Sequence, residues 1–159
     1  MEAKTKRLRK EAGIRACRAE DVGDISNILQ QSPEAAAWSA ESLRKSLSWP
    51  GVLALISEEE GKTTGFILGR HSAGEGEILN LAVTPARRRK GGGGALLKAA
   101  LEEFSARGVS RVFLEVRESN EAAIAFYGKH GFSKTGTRPG YYREPNEAAI
   151  VMQKKKFIA

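Results

Sequence analysis

Apolar residues recur along the chain with two different periods, which predict helices and strands in turn. Two early stretches show three- and four-residue spacing, which is typical of amphipathic helices. The first covers residues 19–31, and its apolar positions are Val22, Ile25, Ile28 and Leu29. The second begins after Ser39, a suitable N-cap residue, and ends before Pro50 and Gly51. We expect Trp38, just before this cap, either to pack this second helix onto the core or to form a wall of a substrate groove.

Short apolar runs bounded by polar or glycine-containing turns predict the strands. They fall at residues 14–18, 52–56, 63–69, 77–83, 109–116, 132–137 and 148–152. The polar segments 71–74 and 138–145 are predicted as loops. Two further amphipathic helices lie between strands, one ending at Gly108 and one running from Ser119 to Gly131. The order β-α-α-β-β-β-α-β-α-β-β predicts a mixed α/β sheet with right-handed parallel crossovers in its second half.

Length and composition favour one domain in a reducing compartment. The chain has 159 residues, 41% of them hydrophobic, which is enough for a single core. No apolar run approaches the roughly twenty residues needed to cross a bilayer, and the N-terminus has no apolar segment of a secretory signal. Cys17 is the single cysteine, so we expect no internal disulfide and no metal site. These features predict a cytoplasmic protein without a membrane partner.

The net charge of +7 is concentrated in two places. Residues 1–10 carry +4, residues 87–90 carry another +4, and the rest of the chain sums to −1. Nucleic-acid binding by charge alone needs a broad basic face, so we do not expect nucleic acid as a partner. We interpret residues 1–10 as a basic flexible arm and residues 11–159 as the domain.

A glycine run lies between a predicted strand and a predicted helix. The strand ends at Val83, a basic segment follows, and Gly91 to Gly94 lead into the helix. Glycine exposes backbone N–H groups, and a helix N-terminus attracts anions. A Walker loop would need Gly-Lys followed by Ser or Thr, and a dinucleotide fingerprint would need glycine where Leu96 stands. Alone, the run favours a glycine-rich turn that binds no ligand.

Longer motifs around this run carry a family resemblance. Val83-x-Pro85-x-x-Arg88-x-x-Gly91-x-Gly93 resembles the acetyl-CoA-binding motif of the GNAT superfamily of N-acetyltransferases. The downstream segment Leu114-Glu115-Val116-Arg117-x-Ser119-Asn120, continuing to Tyr127 and Gly131-Phe132, is similar to the RimI-like branch, the ribosomal-protein-alanine N-acetyltransferases. The resemblance covers about residues 14–153 and is strongest over 77–132.

The resemblance implies a fold and an acetyl-CoA site. The fold is a single-domain, mostly antiparallel sheet with a central parallel strand pair splayed for CoA and helices on both faces. The implied cofactor-binding residues are Leu81, Ala82, Val83, Arg88, Arg89, Lys90, Gly91, Gly92, Gly93, Gly94, Asn120 and Tyr127. The family usually has a branched apolar residue at Gly92 and a polar or basic one at Gly94. Each glycine costs a helix roughly 0.5–1 kcal/mol relative to alanine, so weaker cofactor binding is expected.

The resemblance also implies the catalytic residues, each with a plainer alternative. Glu115 would be the general base and Tyr127, twelve residues later, the general acid of direct transfer in a ternary complex. Glu115 could instead pair with an arginine such as Arg117, Tyr127 could be a core residue, and Asn120 could simply begin a helix. We interpret His130 as structural.

The acceptor follows from the branch, and alternatives stay open. Tyr141, Tyr142 and Asn80 would bind the acceptor, expected to be the N-terminal alanine of a ribosomal protein or a similar peptide terminus. A small-molecule amine is the first alternative, and a non-enzymatic CoA- or nucleic-acid-binding module is the second. The sequence leaves the oligomeric state open.

Overall fold

The computed structural model describes residues 13–32, 35, 38–88 and 90–155. Within them the chain forms seven strands and four α-helices. The strands are β1 (Ile14–Ala16), β2 (Val52–Glu59), β3 (Lys62–Ser72), β4 (Glu75–Val83), β5 (Arg111–Arg117), β6 (Ser133–Arg143) and β7 (Asn146–Lys155). The helices are α1 (Val22–Gln30), α2 (Ala40–Ser46), α3 (Gly92–Ala106) and α4 (Glu121–Lys129). The predicted arm, residues 1–10, and Arg89 lie outside the described residues.

All seven strands belong to one sheet of order β1-β2-β3-β4-β5-β7-β6. The β4–β5 pair is parallel, and the other neighbouring pairs of the described strands are antiparallel. Helix α3 makes the crossover between the two parallel strands. The predicted mixed, mostly antiparallel sheet with a central parallel pair is confirmed. The second crossover, through α4, leads to β6, which is separated from β5 by β7.

The predicted loop over residues 138–145 is wrong. Strand β6 continues to Arg143 and β7 begins at Asn146, so the connection is a short turn. A shift in the β6–β7 register between Arg138 and Tyr142 takes up Pro139 and Gly140. Proline is tolerated at a bulge of an edge strand because no ladder hydrogen bond is required of it there. The polar segment 71–74 is likewise shorter as a loop, because β3 runs to Ser72.

Helices cover the sheet on both faces. Helices α3 and α4 enclose one buried cluster with the central strands, which includes Leu97, Ala100, Phe104, Val112 and Leu114. Helices α1 and α2 enclose a second cluster, which includes Val22, Ile25, Leu43, Ile56 and Phe66. The apolar positions predicted for the helices are therefore the ones that meet the sheet. No helix in the described part of the chain is long and apolar enough to cross a membrane.

An ion pair fixes the first strand to the first helical segment. The guanidinium of Arg15 donates two hydrogen bonds, of 2.9 and 2.8 Å, to the carboxylate of Asp21. Asp21 is buried and also accepts a 2.7 Å bond from the backbone N–H of Arg18. The bonds from Arg15 hold the pKa of Asp21 below its usual value. Arg15 donates a further bond to Glu58 at 2.6 Å, which ties the pair to β2.

Candidate functional site

The parallel strands β4 and β5 separate partway along their length. Their ladder extends from Glu75–Arg111 to Glu77–Phe113, and no pairs follow toward Val83 and Arg117. In the β3–β4 ladder, Leu68 pairs with Asn80 and Gly69 pairs with Ile78, so Leu79 forms a bulge. A bulge bends and twists its strand. The two strands thereby open a cleft of about 740 Å³ between their C-terminal halves.

The cleft collects most of the predicted site residues. Those that line it are Asn80, Leu81, Ala82, Val83, Arg88, Glu115, Asn120, Tyr127, Tyr141 and Tyr142. Lys90 is exposed, and neither it nor Gly91 to Gly94 lines the cleft. The glycines begin helix α3 at the end of the cleft, where an added Cβ on Gly92 would lie 3.6 Å from the Val83 side chain. The cleft and the helix start are therefore adjacent parts of one site.

Helix α3 begins without a side-chain cap. Gly91 is its N-cap, with a left-handed φ of +82° that favours glycine, and no side chain among the described residues caps the first turn. These N–H groups have no partner within the helix, and they carry the positive end of its dipole. The helix start therefore fits a phosphate group.

The two unusual glycines have different surroundings. A Cβ on Gly94 would lie 3.2 Å from the His130 ring, so the absence of a side chain admits that ring. His130 also packs on Phe126 at 4.7 Å between ring centroids, which agrees with a structural role. A Cβ on Gly92 would meet nothing nearer than 3.5 Å. Packing therefore explains Gly94 and leaves Gly92 without a reason.

The basic residues before the glycines contact other parts of the chain. Arg88 donates from Nη2 to the backbone carbonyl of Gln31 and, at 3.0 Å, to Oγ of Ser32. Arg87 forms an ion pair with Glu59. Arg88 thus bridges the end of α1 and the cleft that it lines, which brings a positive charge to the cleft wall near the helix start.

Glu115 lies on β5 with its side chain 13% exposed. Its Oε1 accepts a 2.8 Å hydrogen bond from Nη1 of Arg138, while its Oε2 is buried and has no hydrogen-bond partner among the described residues. Arg117, the partner that the sequence suggested, pairs instead with Glu147 at 3.2 Å. A buried oxygen without a donor is costly, so this atom is suited to receive a hydrogen bond from a ligand.

Tyr127 lies on α4 and is buried against the sheet. Its ring packs edge-on against Phe126 and Phe132, at 5.1 and 5.6 Å between centroids. Burial raises the pKa of Tyr127 far above its ordinary value, so the hydroxyl keeps its proton at neutral pH. The residue is part of the core, as the plainer interpretation held, and it also lines the cleft.

Asn120 is the N-cap of α4, since its Oδ1 accepts a 3.1 Å bond from the N–H of Ala123. Asn120 therefore begins a helix, as the plainer alternative expected. The residue also lines the cleft, and capping through Oδ1 leaves its two amide N–H donors for a ligand.

Two arginines stack on the two tyrosines that line the cleft. Arg138 lies over the ring of Tyr141 at 4.6 Å, and Arg117 lies over the ring of Tyr142 at 4.2 Å. The two tyrosine rings meet edge-on at 5.0 Å. The nearby negative charge of Glu115 raises the pKa of Tyr141. Both tyrosines lie on β6 rather than on the predicted loop.

Sequence reasoning missed Glu77, Ser32 and Arg138, which line the cleft or bond to residues that line it. Glu77 lies at the last position of β4 that pairs with β5, and Ser32 bonds to Arg88. Arg138 reaches Glu115 from the far side of β7. The carboxylate at the start of the predicted strand 77–83 was a visible signal for Glu77. Arg138 gave no signal, because its position depends on the irregular β6 register. Trp38 also lines the cleft, and it packs on Trp49 at 5.8 Å, so both roles considered for it are compatible.

A sheet split at a central parallel pair, with an uncapped helix start beside the opening, defines the class of CoA-dependent N-acetyltransferases. The acetyltransferase (GNAT) family model matches residues 22–132, and the chain belongs to this family. It is therefore an acetyl-CoA-dependent acyltransferase, and the predicted family and enzyme class are confirmed.

Relatives of known sequence and structure extend this assignment over most of the chain. It is 34% identical over 126 residues to the [ribosomal protein bS18]-alanine N-acetyltransferase of Escherichia coli K12, covering 78% of this chain and 84% of that protein. The crystal structure of the E. coli ribosomal-protein-S18-alanine N-acetyltransferase superposes with a TM-score of 0.81 at 31% identity, covering 92% and 94% of the two chains. The PaiA N-acetyltransferase of Thermoplasma acidophilum, solved in complex with coenzyme A, shares the fold at 22% identity, with a TM-score of 0.76 and coverage of 90% and 98%.

Proposed function

We propose that this enzyme acetylates the N-terminal α-amine of a protein, namely the N-terminal alanine of a ribosomal protein or a similar peptide terminus. Direct attack on acetyl-CoA in a ternary complex is the proposed route. The observation that carries the proposal is the buried, unpartnered Oε2 of Glu115 in the same cleft as Tyr127. The similarity to the E. coli bS18-alanine enzyme supports the choice of acceptor.

Acetyl-CoA would bind along the opening between β4 and β5. The uncapped N–H groups at Gly91 to Gly94 would hold the pyrophosphate, with Arg88 adding positive charge. Arg89 and Lys90 belong to the same proposed site. The pantetheine arm would pass Leu81, Ala82 and Val83, whose strand edge is free of β5. When bound, the cofactor supplies an acetyl thioester at this edge.

The chain's own residues would move two protons. A peptide α-amine has a pKa of about 8, so it needs only modest help to become neutral. Glu115 takes a proton from the amine, through water, and the nitrogen then bonds to the acetyl carbon. The carbon–sulfur bond breaks, Tyr127 gives its proton to the departing thiolate, and the second proton that the nitrogen must lose returns to Tyr127. The products are an N-acetyl peptide and CoA.

The acceptor would enter from the tyrosine side of the cleft. Tyr141, Tyr142 and Asn80 line the cleft, and Trp38 adds an apolar surface to it. The tyrosines are held by Arg138 and Arg117, which gives a bound peptide a fixed surface. The proposal places the reaction in the cytoplasm, in keeping with a chain whose one cysteine is free.

A panel of three acceptors tests the proposal. The enzyme is incubated with acetyl-CoA and one of three acceptors. The first is a peptide that begins with alanine, the second is the same peptide with a blocked N-terminus and an added lysine, and the third is spermidine. CoA release and product mass are measured for each. We expect acetylation of the free α-amine with at least about tenfold higher kcat/KM than of the other two. Preferential transfer to spermidine would support the small-amine alternative, and preferential transfer to lysine would contradict the α-amine proposal.

A further inference from the structure

A second carboxylate shares the cleft with Glu115. Glu77 lies on β4 and pairs with Phe113, and Glu115 follows two residues later on β5. Paired residues and residues two apart project from the same face of a sheet. Glu77 and Glu115 therefore lie on one face, offset by about 6.6 Å along the strand direction, and both line the cleft.

The surroundings of Glu77 do not supply it with a partner. Burial and the negative charge of Glu115 raise the pKa of Glu77, and the charges of Arg70 and Arg138 oppose this shift. Tyr141 also faces the group from β6. Among the described residues, no side chain or backbone group donates a hydrogen bond to Glu77, and no ion pair forms with it. The carboxylate is half-buried, and the two arginine charges only partly offset the cost of that burial.

Two carboxylates in these surroundings are suited to bind a cation that carries several N–H donors. Arg138 engages Oε1 of Glu115 and leaves Oε2 free. A primary aliphatic ammonium carries one positive charge and three N–H donors. A peptide α-amine, with a pKa of about 8, is mostly ammonium at neutral pH. The two carboxylates lack a cationic group that donates hydrogen bonds to both. The proposed acceptor amine, before it loses its proton, is such a group.

We infer that Glu77 is an ammonium-binding residue of the acceptor subsite. Its carboxylate accepts a hydrogen bond from one N–H group of the incoming amine, while Oε2 of Glu115 accepts a hydrogen bond from another. The inference rests on the proposed function and adds a specificity determinant to it. Glu115 then removes the proton, and Glu77 keeps a hydrogen bond to the neutral amine. The site favours primary aliphatic amines that arrive charged over aryl amines or hydroxyl groups.

The variant Glu77→Gln tests this role, with Glu75→Gln as the matched control. Glu75 lies on the same strand, is exposed and pairs with Arg111 at 3.3 Å outside the cleft. We expect Glu77→Gln to raise the peptide KM about tenfold, as for loss of a charged hydrogen bond. We expect the KM of acetyl-CoA to stay unchanged and kcat to fall by less than about threefold. Glu75→Gln keeps wild-type constants.

The pH dependence separates this role from a merely structural one. As pH falls toward the raised pKa of Glu77, wild-type peptide KM rises because the carboxylate loses its charge, and Glu77→Gln lacks this part of the profile. An unchanged peptide KM with an unchanged pH profile in Glu77→Gln overturns the inference.

A binding measurement keeps the inference testable apart from the proposed function. Calorimetry on the CoA-loaded protein compares alanine amide, which is charged, with N-acetylalanine amide, which is neutral. We expect wild type to bind alanine amide more tightly than N-acetylalanine amide. We expect Glu77→Gln to bind alanine amide about tenfold more weakly than wild type does. If the wild-type enzyme acetylates no peptide, the proposed function is wrong. If alanine amide binds equally well to wild type and to Glu77→Gln, the role of Glu77 is wrong.

Discussion

Nη1 of Arg138 lies 2.8 Å from Oε1 of Glu115, so one oxygen of the carboxylate is held while the other is left buried and free. The same guanidinium stacks over Tyr141. One residue of β6 thereby orients the proposed base and supports the surface on which the acceptor is proposed to lie.

Replacement of Arg138 should slow the chemical step moderately. The arginine side chain is 56% exposed, and partly exposed ion pairs contribute about 0.2–1 kcal/mol. We therefore expect Arg138→Gln to lower kcat up to about fivefold, with the KM of acetyl-CoA unchanged. Steady-state kinetics check this, with Arg143→Gln on the same strand as the control. A kcat equal to wild type would show that Arg138 does not orient Glu115.

Removal of the Tyr127 hydroxyl should have a larger effect. General acid catalysis contributes about 10²- to 10⁴-fold, so Tyr127→Phe should lower kcat within that range. The ring contacts with Phe126 and Phe132 are retained, so the unfolding temperature should change little. Pre-steady-state CoA release and thermal unfolding measure the two quantities. A nearly normal kcat would leave Tyr127 as a core residue alone.

The glycines at the start of α3 should differ in their response to alanine. Gly92 is helical and has space for a methyl group, so Gly92→Ala should raise the free energy of unfolding by about 0.5–1 kcal/mol. Gly91 has a φ of +82°, so Gly91→Ala should lower it by about 1–2 kcal/mol. Urea denaturation measures both. Equal effects of the two substitutions would contradict the assigned backbone geometry.

The Arg15–Asp21 pair should make stability depend on acidic pH. The folded-state pKa of Asp21 lies below the unfolded value of about 3.9. Its contribution is therefore complete above that pH and is lost as pH falls through the folded-state pKa. Asp21→Asn should lower the free energy of unfolding by about 2 kcal/mol at pH 7, and by less at pH 3. Denaturation at both values tests this, and Asp24→Asn, at an exposed position of α1, should change it by less than about 0.5 kcal/mol.

Much of the fold could be predicted from local patterns. The helices follow apolar spacing and caps such as Ser39, and the central parallel pair follows from a strand, a glycine-led helix and another strand. The extent of β6 could not be predicted, because Pro139 and Gly140 signal a turn. Only pairing with β7 shows that a register shift accommodates them.

The site was predictable where a motif carried it. Glu115, Asn120 and Tyr127 line the cleft as the family resemblance implies. The bulge at Leu79 was not predictable, and it reverses the alternation of side chains along β4, so that both Ile78 and Leu81 pack toward the α3 cluster.

The remaining features of the site depend on long-range contacts. The bond from Arg138 to Glu115 crosses β7, and the need for glycine at Gly94 comes from His130 on another helix. Both arise from tertiary packing that sequence spacing does not encode.

The most direct test of the account uses one peptide with a free N-terminal alanine and a single internal lysine. Tandem mass spectrometry locates the acetyl group after reaction with acetyl-CoA and wild-type or Glu115→Gln enzyme. We expect the acetyl group on the alanine α-nitrogen, and a rate about 10²- to 10³-fold lower for Glu115→Gln, whose amide cannot accept the proton. Acetylation of the lysine instead, or an undiminished rate for Glu115→Gln, would contradict the account.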